Sequence, residues 1–183
     1  MFHATKKDIT GMVQLVKNTG VNSAYVNDDF YNRIFYKNPY IFRIQKHKGY
    51  INGIYCMYPL SKGIYEGVLK NTVQEEEIPN FIAPFQSKEI FVYLGPIIVN
   101  PRFKDKEAVL SNLLLDLRKK LVALSKQNII VKELGTIARE EDAQILSRLG
   151  FKSIGTLNKK GVIYNIYTAN ILDVVLSDKV WTV

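Results

Sequence analysis

The run from Ile90 to Val99, closed by Pro101, limits the fold more than any other stretch of this chain. Its side chains are apolar at alternate and intervening positions alike, the pattern of a strand in the middle of a sheet. Gly95-Pro96 interrupts it. Proline donates no ladder hydrogen bond and glycine packs no side chain, so a bulge or splay is expected at that point. A long helix follows, about Asp105 to Lys126, on a stripe of Leu110, Leu113, Leu114, Leu117, Leu121 and Leu124. Asp105 and Glu107 suit its positive end and Lys126 its negative end. The strand Ile129 to Leu134 completes a strand, helix, strand unit, whose two strands should be parallel.

The rest of the chain builds around that unit. Thr5 to Val16 reads as a helix, with Thr5 at its cap, Asp8 three residues later, and Ile9, Met12, Val13 and Val16 on one face. Asn27-Asp28-Asp29 begins a second helix carrying Phe30, Ile34 and Phe35, which Pro39 ends. Tyr40 to Gln45 and Tyr50 to Tyr58, joined by Lys46-His47-Lys48-Gly49, form an expected β-hairpin. Ser61 to Leu69 is expected to extend the antiparallel sheet, and Gln74 to Pro79 to be a loop. Glu140 to Leu149 should be a short helix stopped by Gly150. Two last strands, Lys152 to Leu157 and Val162 to Thr168, flank the turn Asn158-Lys159-Lys160-Gly161. The fold class expected is α/β (α+β): a mixed, mostly antiparallel sheet flanked by helices, with a splayed central strand, in a single domain over residues 1–183.

Composition excludes several alternatives. The hydrophobic share of 47% is enough for one sizeable core, and 23% charged residues is ordinary for a globular chain. The apolar runs are far shorter than the ~20 residues that cross a bilayer. The segment Met1 to Asp8 lacks the pattern of a secretory signal, so the cytoplasm is the expected location. Cys56 is the only cysteine, which rules out an internal disulfide, and among Ile54, Tyr55, Met57 and Tyr58 it reads as a buried, inert thiol. His3 and His47 stand beside the terminus and in a turn, so no metal site is expected. The net charge of +8 attracts anions, but the basic residues are spread along the chain without a nucleic-acid-binding motif, which makes nucleic acid the weakest of the partner classes.

Three local features carry a resemblance. Ile97-Ile98-Val99-Asn100-Pro101-Arg102-Phe103-Lys104 is similar to the strand and exit turn of the GNAT superfamily of acyl-CoA-dependent N-acyltransferases. Leu146-Ser147-Arg148-Leu149-Gly150-Phe151 resembles that family's late helix ending in Leu-Gly-Phe, and Gly95-Pro96 falls where its central strand splays. The resemblance covers nearly the whole chain. It implies acetyl-CoA or another acyl-CoA as co-substrate, held by Ile97, Ile98, Val99, Arg102, Phe103, Lys104, Asp105, Lys106, Glu107, Ala108 and Val109. It implies a small-molecule or peptide amine as acceptor. The family's phosphate loop usually contains glycines, and 104–109 has none; Arg102, Lys104 and Lys106 would attract phosphates while Asp105 and Glu107 oppose them. Helix amides capped by Asp105 would favour a non-catalytic domain.

The resemblance also locates the chemistry. The position of the family's usual tyrosine acid is Leu146, and Phe91 stands where a glutamate base is usual. The nearest candidates for catalysis are Glu89 and Tyr93, which alternate onto one face with Phe91. Glu89 also fits a solvated strand end, and Tyr93 a core filler. Tyr31, Phe35 and Tyr36 read as core, or as walls of an acceptor pocket. The tail from Ile171, with Trp181, is apolar enough to cover its own domain or to join a homodimer. Beside the acyltransferase stands a second reading, a GNAT-like domain that binds an acyl-CoA or a protein partner without catalysis.

Overall fold

Thr5 and Asp8 close the expected box at the first helix: the Thr5 N–H and hydroxyl both donate to Asp8 Oδ2 at 2.9 Å. A tight helical turn over Lys6–Asp8 leads into helix α1, Ile9–Asn18. Asn27 Oδ1 accepts from the Phe30 N–H at 2.8 Å and starts α2, Asp28–Lys37. The computed structural model describes residues 1–20, 25–85 and 87–177. The strands are β1 (Phe2–His3), β2 (Phe42–His47), β3 (Tyr50–Leu60), β4 (Glu89–Leu94), β5 (Ile98–Val99), β6 (Ile130–Ala138), β7 (Lys152–Lys159) and β8 (Val162–Ala169). The remaining helices are α3 (Lys62–Leu69), α4 (Ile78–Phe81), α5 (Lys106–Lys126), α6 (Ala143–Arg148) and α7 (Ile171–Leu176).

These strands form one mixed sheet in the order β1-β2-β3-β4-β6-β8-β7, with β5 added to β3. Only the β4–β6 pair is parallel, as the strand, helix, strand unit requires. The fold class expected from the sequence is therefore the one observed. Lys48 and Gly49, both at positive φ, turn the β2–β3 hairpin, and Lys160 and Gly161 do the same between β7 and β8.

Helices cover both faces. On one, Tyr31 of α2 packs on Phe42 and Tyr65 of α3 on Phe91, at ring separations of 5.0 and 5.2 Å. On the other lies α5, whose Val109, Leu113, Leu114, Leu117, Leu121 and Leu124 are buried. Gly53 of β3 makes that approach close, since a Cβ there would stand 2.7 Å from Val109 Cγ1. Each leucine removed from water contributes about 1.5 to 3 kcal/mol, so this stripe is a main support of the sheet. Among the described residues no helix is long and apolar enough to cross a membrane.

Two segments differ from the sequence reading. Ser61 to Leu69 does not extend the sheet; residues 62–69 are helix α3, which buries Tyr65, Val68 and Leu69. Lys62 and Lys70 each lie 3.8 Å from Glu66 on its outer side, so the charges follow the helical spacing of four. Gln74 to Pro79 is not an open loop but a helical turn, Glu75–Glu77, running into α4. Of the tail, residues 171–176 form α7, which packs back on the domain, with Val174 fully buried and Arg118 donating to the Val175 carbonyl. Trp181 lies outside the described residues.

Candidate active site

The sheet opens where Gly95-Pro96 interrupts the central strand. β4 runs beside β6 from Glu89 and Ile130 as far as Tyr93 and Gly135. Beyond that point the chain continues as β5, which pairs only with Gly53 and Ile54 of β3. β6 continues as Thr136, Ile137 and Ala138, paired only with β8. No ladder joins the two beyond that rung, which leaves a gap between them. Its cause is local: Pro96 has no N–H, and the Gly95 N–H is taken by the Cys56 carbonyl at 3.0 Å. Gly95 is also held close against Tyr58, whose Cε2 would lie 3.1 Å from an added Cβ.

The turn from β5 into α5 follows at once. The Arg102 N–H donates to Asn100 Oδ1 and the Phe103 N–H to the Asn100 carbonyl, both at 3.0 Å. The Phe103 ring rests against His47 at 5.3 Å. Asp105 caps α5, its Oδ1 accepting from the Ala108 N–H at 3.3 Å, so one helix-end amide is already engaged by a carboxylate. The amides of Lys104, Asp105, Lys106 and Glu107 have no partner among the described residues. Arg102, Lys104, Asp105, Lys106, Glu107 and Ala108 are exposed, Ile97 and Val99 are half-buried at the gap, and Ile98 and Val109 are buried. At the helix end, the amides of residues 104–107 and the cations Arg102, Lys104 and Lys106 suit phosphates, but no glycine admits them closely and two carboxylates oppose them.

Four separate segments meet at the inner end of the gap. Tyr93 is almost fully buried, and its hydroxyl donates to Glu75 Oε1. Glu75 Oε2 accepts from the Tyr25 hydroxyl at 3.1 Å and lies 3.6 Å from Lys159 Nζ. Lys159 Nζ is also 5.8 Å from the centre of the Tyr164 ring, and Tyr58 stacks on Tyr93 at 6.3 Å. Burial first, and the Glu75 carboxylate second, push the Tyr25 and Tyr93 hydroxyls well above the usual phenol range, so both are protonated donors at neutral pH. Burial pushes the Cys56 thiol up to about 12, which leaves it inert.

The two residues expected to do chemistry are not brought together. Tyr93 closes the parallel ladder at the gap, whereas Glu89 opens it at the far end of β4, paired with Lys132 at 2.8 Å and half exposed. Leu146 is buried in α6, so no phenol reaches the gap from that helix. Tyr31 is buried, Phe35 half-buried and Tyr36 exposed. Glu75 was missed by sequence reasoning, because in the polar run 74–77 nothing distinguishes it from Glu76 and Glu77. A surface cavity of about 390 Å3 between Gln45, Lys46, Asp116 and Lys119 contains none of these residues.

No protein-family model matches the sequence. No curated protein matches it either. Solved structures do. The loading GNATL domain of CurA from Lyngbya majuscula superposes with a TM-score of 0.70 at 12% identity, over 93% of this chain and 96% of that one. A GNAT-like decarboxylase, GphF, in complex with isobutyryl-CoA gives 0.62 at 12% identity, over 93% and 98%. An N-acetyltransferase from Staphylococcus aureus Mu50 gives 0.58 at 15% identity, over 93% and 96%. At such identities the likeness concerns the fold alone, and the fold of this chain is that of the GNAT superfamily.

Proposed function

We propose that this chain is an acyl-CoA-dependent N-acyltransferase that moves an acetyl or similar acyl group to a primary amine on a small molecule or peptide. The observation that carries the reading is the early end of the β4–β6 ladder at Tyr93 and Gly135, with both strands continuing apart. An extended chain of amides laid in that gap can bond to backbone N–H and C=O groups as an added strand would. The pantetheine arm of an acyl-CoA is such a chain, and Ile97, Ile98 and Val99 would line it. The pyrophosphate would then fall at the start of α5, near the amides of residues 104–107 and the cations Arg102, Lys104 and Lys106.

Acyl transfer forms a C–N bond, breaks the thioester C–S bond and moves one proton from the amine to the departing thiolate. Of the two residues expected to serve it, Tyr93 stands at the inner end of the gap, with its hydroxyl proton given to Glu75. Glu89, in its ion pair with Lys132, has no part in this reading.

A second reading, acyl-CoA or partner binding without turnover, is favoured by two observations: Asp105 caps the helix end that phosphates would need, and Leu146 offers no acid. One experiment separates them. Acetyl-CoA is titrated calorimetrically, and thiol release is then followed across a broad panel of amines. The acyltransferase reading expects saturable binding and turnover with at least one amine. Binding with no turnover leaves the second reading, and no binding at millimolar ligand removes acyl-CoA from both.

A further inference from the structure

We propose that Glu75 anchors a subsite for an alkylammonium group, and that Lys159 fills this subsite from within until the acceptor's own amine displaces it. The naming of that group as the acceptor rests on the acyltransferase reading; the subsite itself does not. Glu75 reaches the site on the segment between β3 and β4, next to the last rung of the parallel ladder. Its two oxygens are oriented by the Tyr93 and Tyr25 hydroxyls, which fixes the carboxylate without neutralising it. The Lys159 ammonium faces this carboxylate on one side and the Tyr164 ring on another. A carboxylate beside an aromatic face is the surrounding that an ammonium group favours. Arg139, 6.0 Å from the same ring, lies 3.8 Å from Glu141.

Lys159 is a weak tenant. Its 3.6 Å approach to Glu75 is longer than a direct charged hydrogen bond, which typically lies at about 2.7 to 2.9 Å. It ends β7 at a turn whose next two residues, Lys160 and Gly161, have φ of 53° and 85°, and that turn is solvent-exposed. The two side chains are 23% and 25% exposed, so water still reaches the pair, and without a direct hydrogen bond it is poorly held against a second ammonium that makes one. Because Tyr93 is the last residue of β4 paired with β6, a group bound at Glu75 stands at the inner end of the gap, where an acyl thioester would be presented.

The test uses n-butylammonium chloride as the probe, titrated against matched sodium chloride and followed by the ring resonances of tyrosine in 13C-labelled protein. In Lys159→Met the probe should shift Tyr25, Tyr93 and Tyr164 saturably, with a midpoint about threefold or more below that of the parent, as expected from losing a weak ion-paired competitor. Adding Glu75→Gln to Lys159→Met should abolish the saturable shift. An unchanged midpoint in Lys159→Met, no saturable shift at those rings, or equal binding by the double variant overturns the proposal. If the double variant does not fold, the comparison of Lys159→Met with the parent decides alone. Acetyl-CoA titrated into the parent reads the other proposal separately: butylammonium binding without acetyl-CoA binding removes the acyltransferase and keeps the subsite.

Discussion

Asp116 shows how one residue can tie the two layers of the molecule together. It projects from α5 to the sheet, where Arg43 of β2 donates to both its oxygens at 2.6 and 2.7 Å and the Tyr55 hydroxyl donates at 2.7 Å. Arg43 and Asp116 are 13% and 12% exposed, so solvent screens the pair little. Burial alone would raise the Asp116 carboxyl, but the hydrogen bonds from Arg43 and Tyr55 outweigh it and hold it below the usual carboxylate range. A carboxyl depressed in the folded state adds stability above its ordinary value near 3.8, and that stability is lost as pH falls through the folded-state value. Asp116→Asn should therefore cost about 2 to 3 kcal/mol in urea unfolding at neutral pH. The difference from the parent should shrink as the medium is acidified below the ordinary carboxylate value.

The junction of α6, β7 and α7 turns on a single glycine. Gly150 has φ of +83°, the left-handed conformation that ends a helix, which its place after Leu149 already suggests. The fold adds a second demand: a Cβ at Gly150 would lie 2.6 Å from the Asp173 carbonyl oxygen of α7. That atom is backbone and cannot rotate away. Gly150→Ala should lose about 2 to 4 kcal/mol in thermal or denaturant unfolding, combining backbone strain with the clash. It should also raise amide exchange in α7 before the rest of the sheet, because the contact is made with that helix.

Across the whole molecule the two ends of the gap are built differently. The end at Tyr93 draws Tyr25, Glu75, Tyr93 and Lys159 from four segments, whereas the helix end is one continuous stretch whose cations are exposed. Replacing Lys104 and Lys106 together by Ala should weaken acetyl-CoA binding by about 1 to 2 kcal/mol in dilute salt and by less in concentrated salt, since exposed charges are screened. Calorimetry at two salt concentrations measures both effects, and equal affinity of parent and double variant in dilute salt removes the lysines from phosphate binding.

What the sequence determined by itself is local. The Thr5 and Asp8 box, the Asn27 cap, the hairpin turns and the break at Gly95-Pro96 all depend on residues within a few positions of one another. The parallel β4–β6 pair followed because strand, helix and strand came in succession. Ser61 to Leu69 was ambiguous, since Ile64, Tyr65 and Val68 suit strand and helix alike; burial of Tyr65, Val68 and Leu69 on one side decided for helix. The charge spacing of Lys62, Glu66 and Lys70 was the signal available in the sequence. Glu75 could not be singled out at all, because a carboxylate in a polar run acquires its role only from the tyrosines and lysine that distant strands and loops bring to it. Hydrogen-bonded caps and turns need only neighbouring residues, whereas a buried polar cluster needs the packed sheet, and only the tertiary structure supplies that.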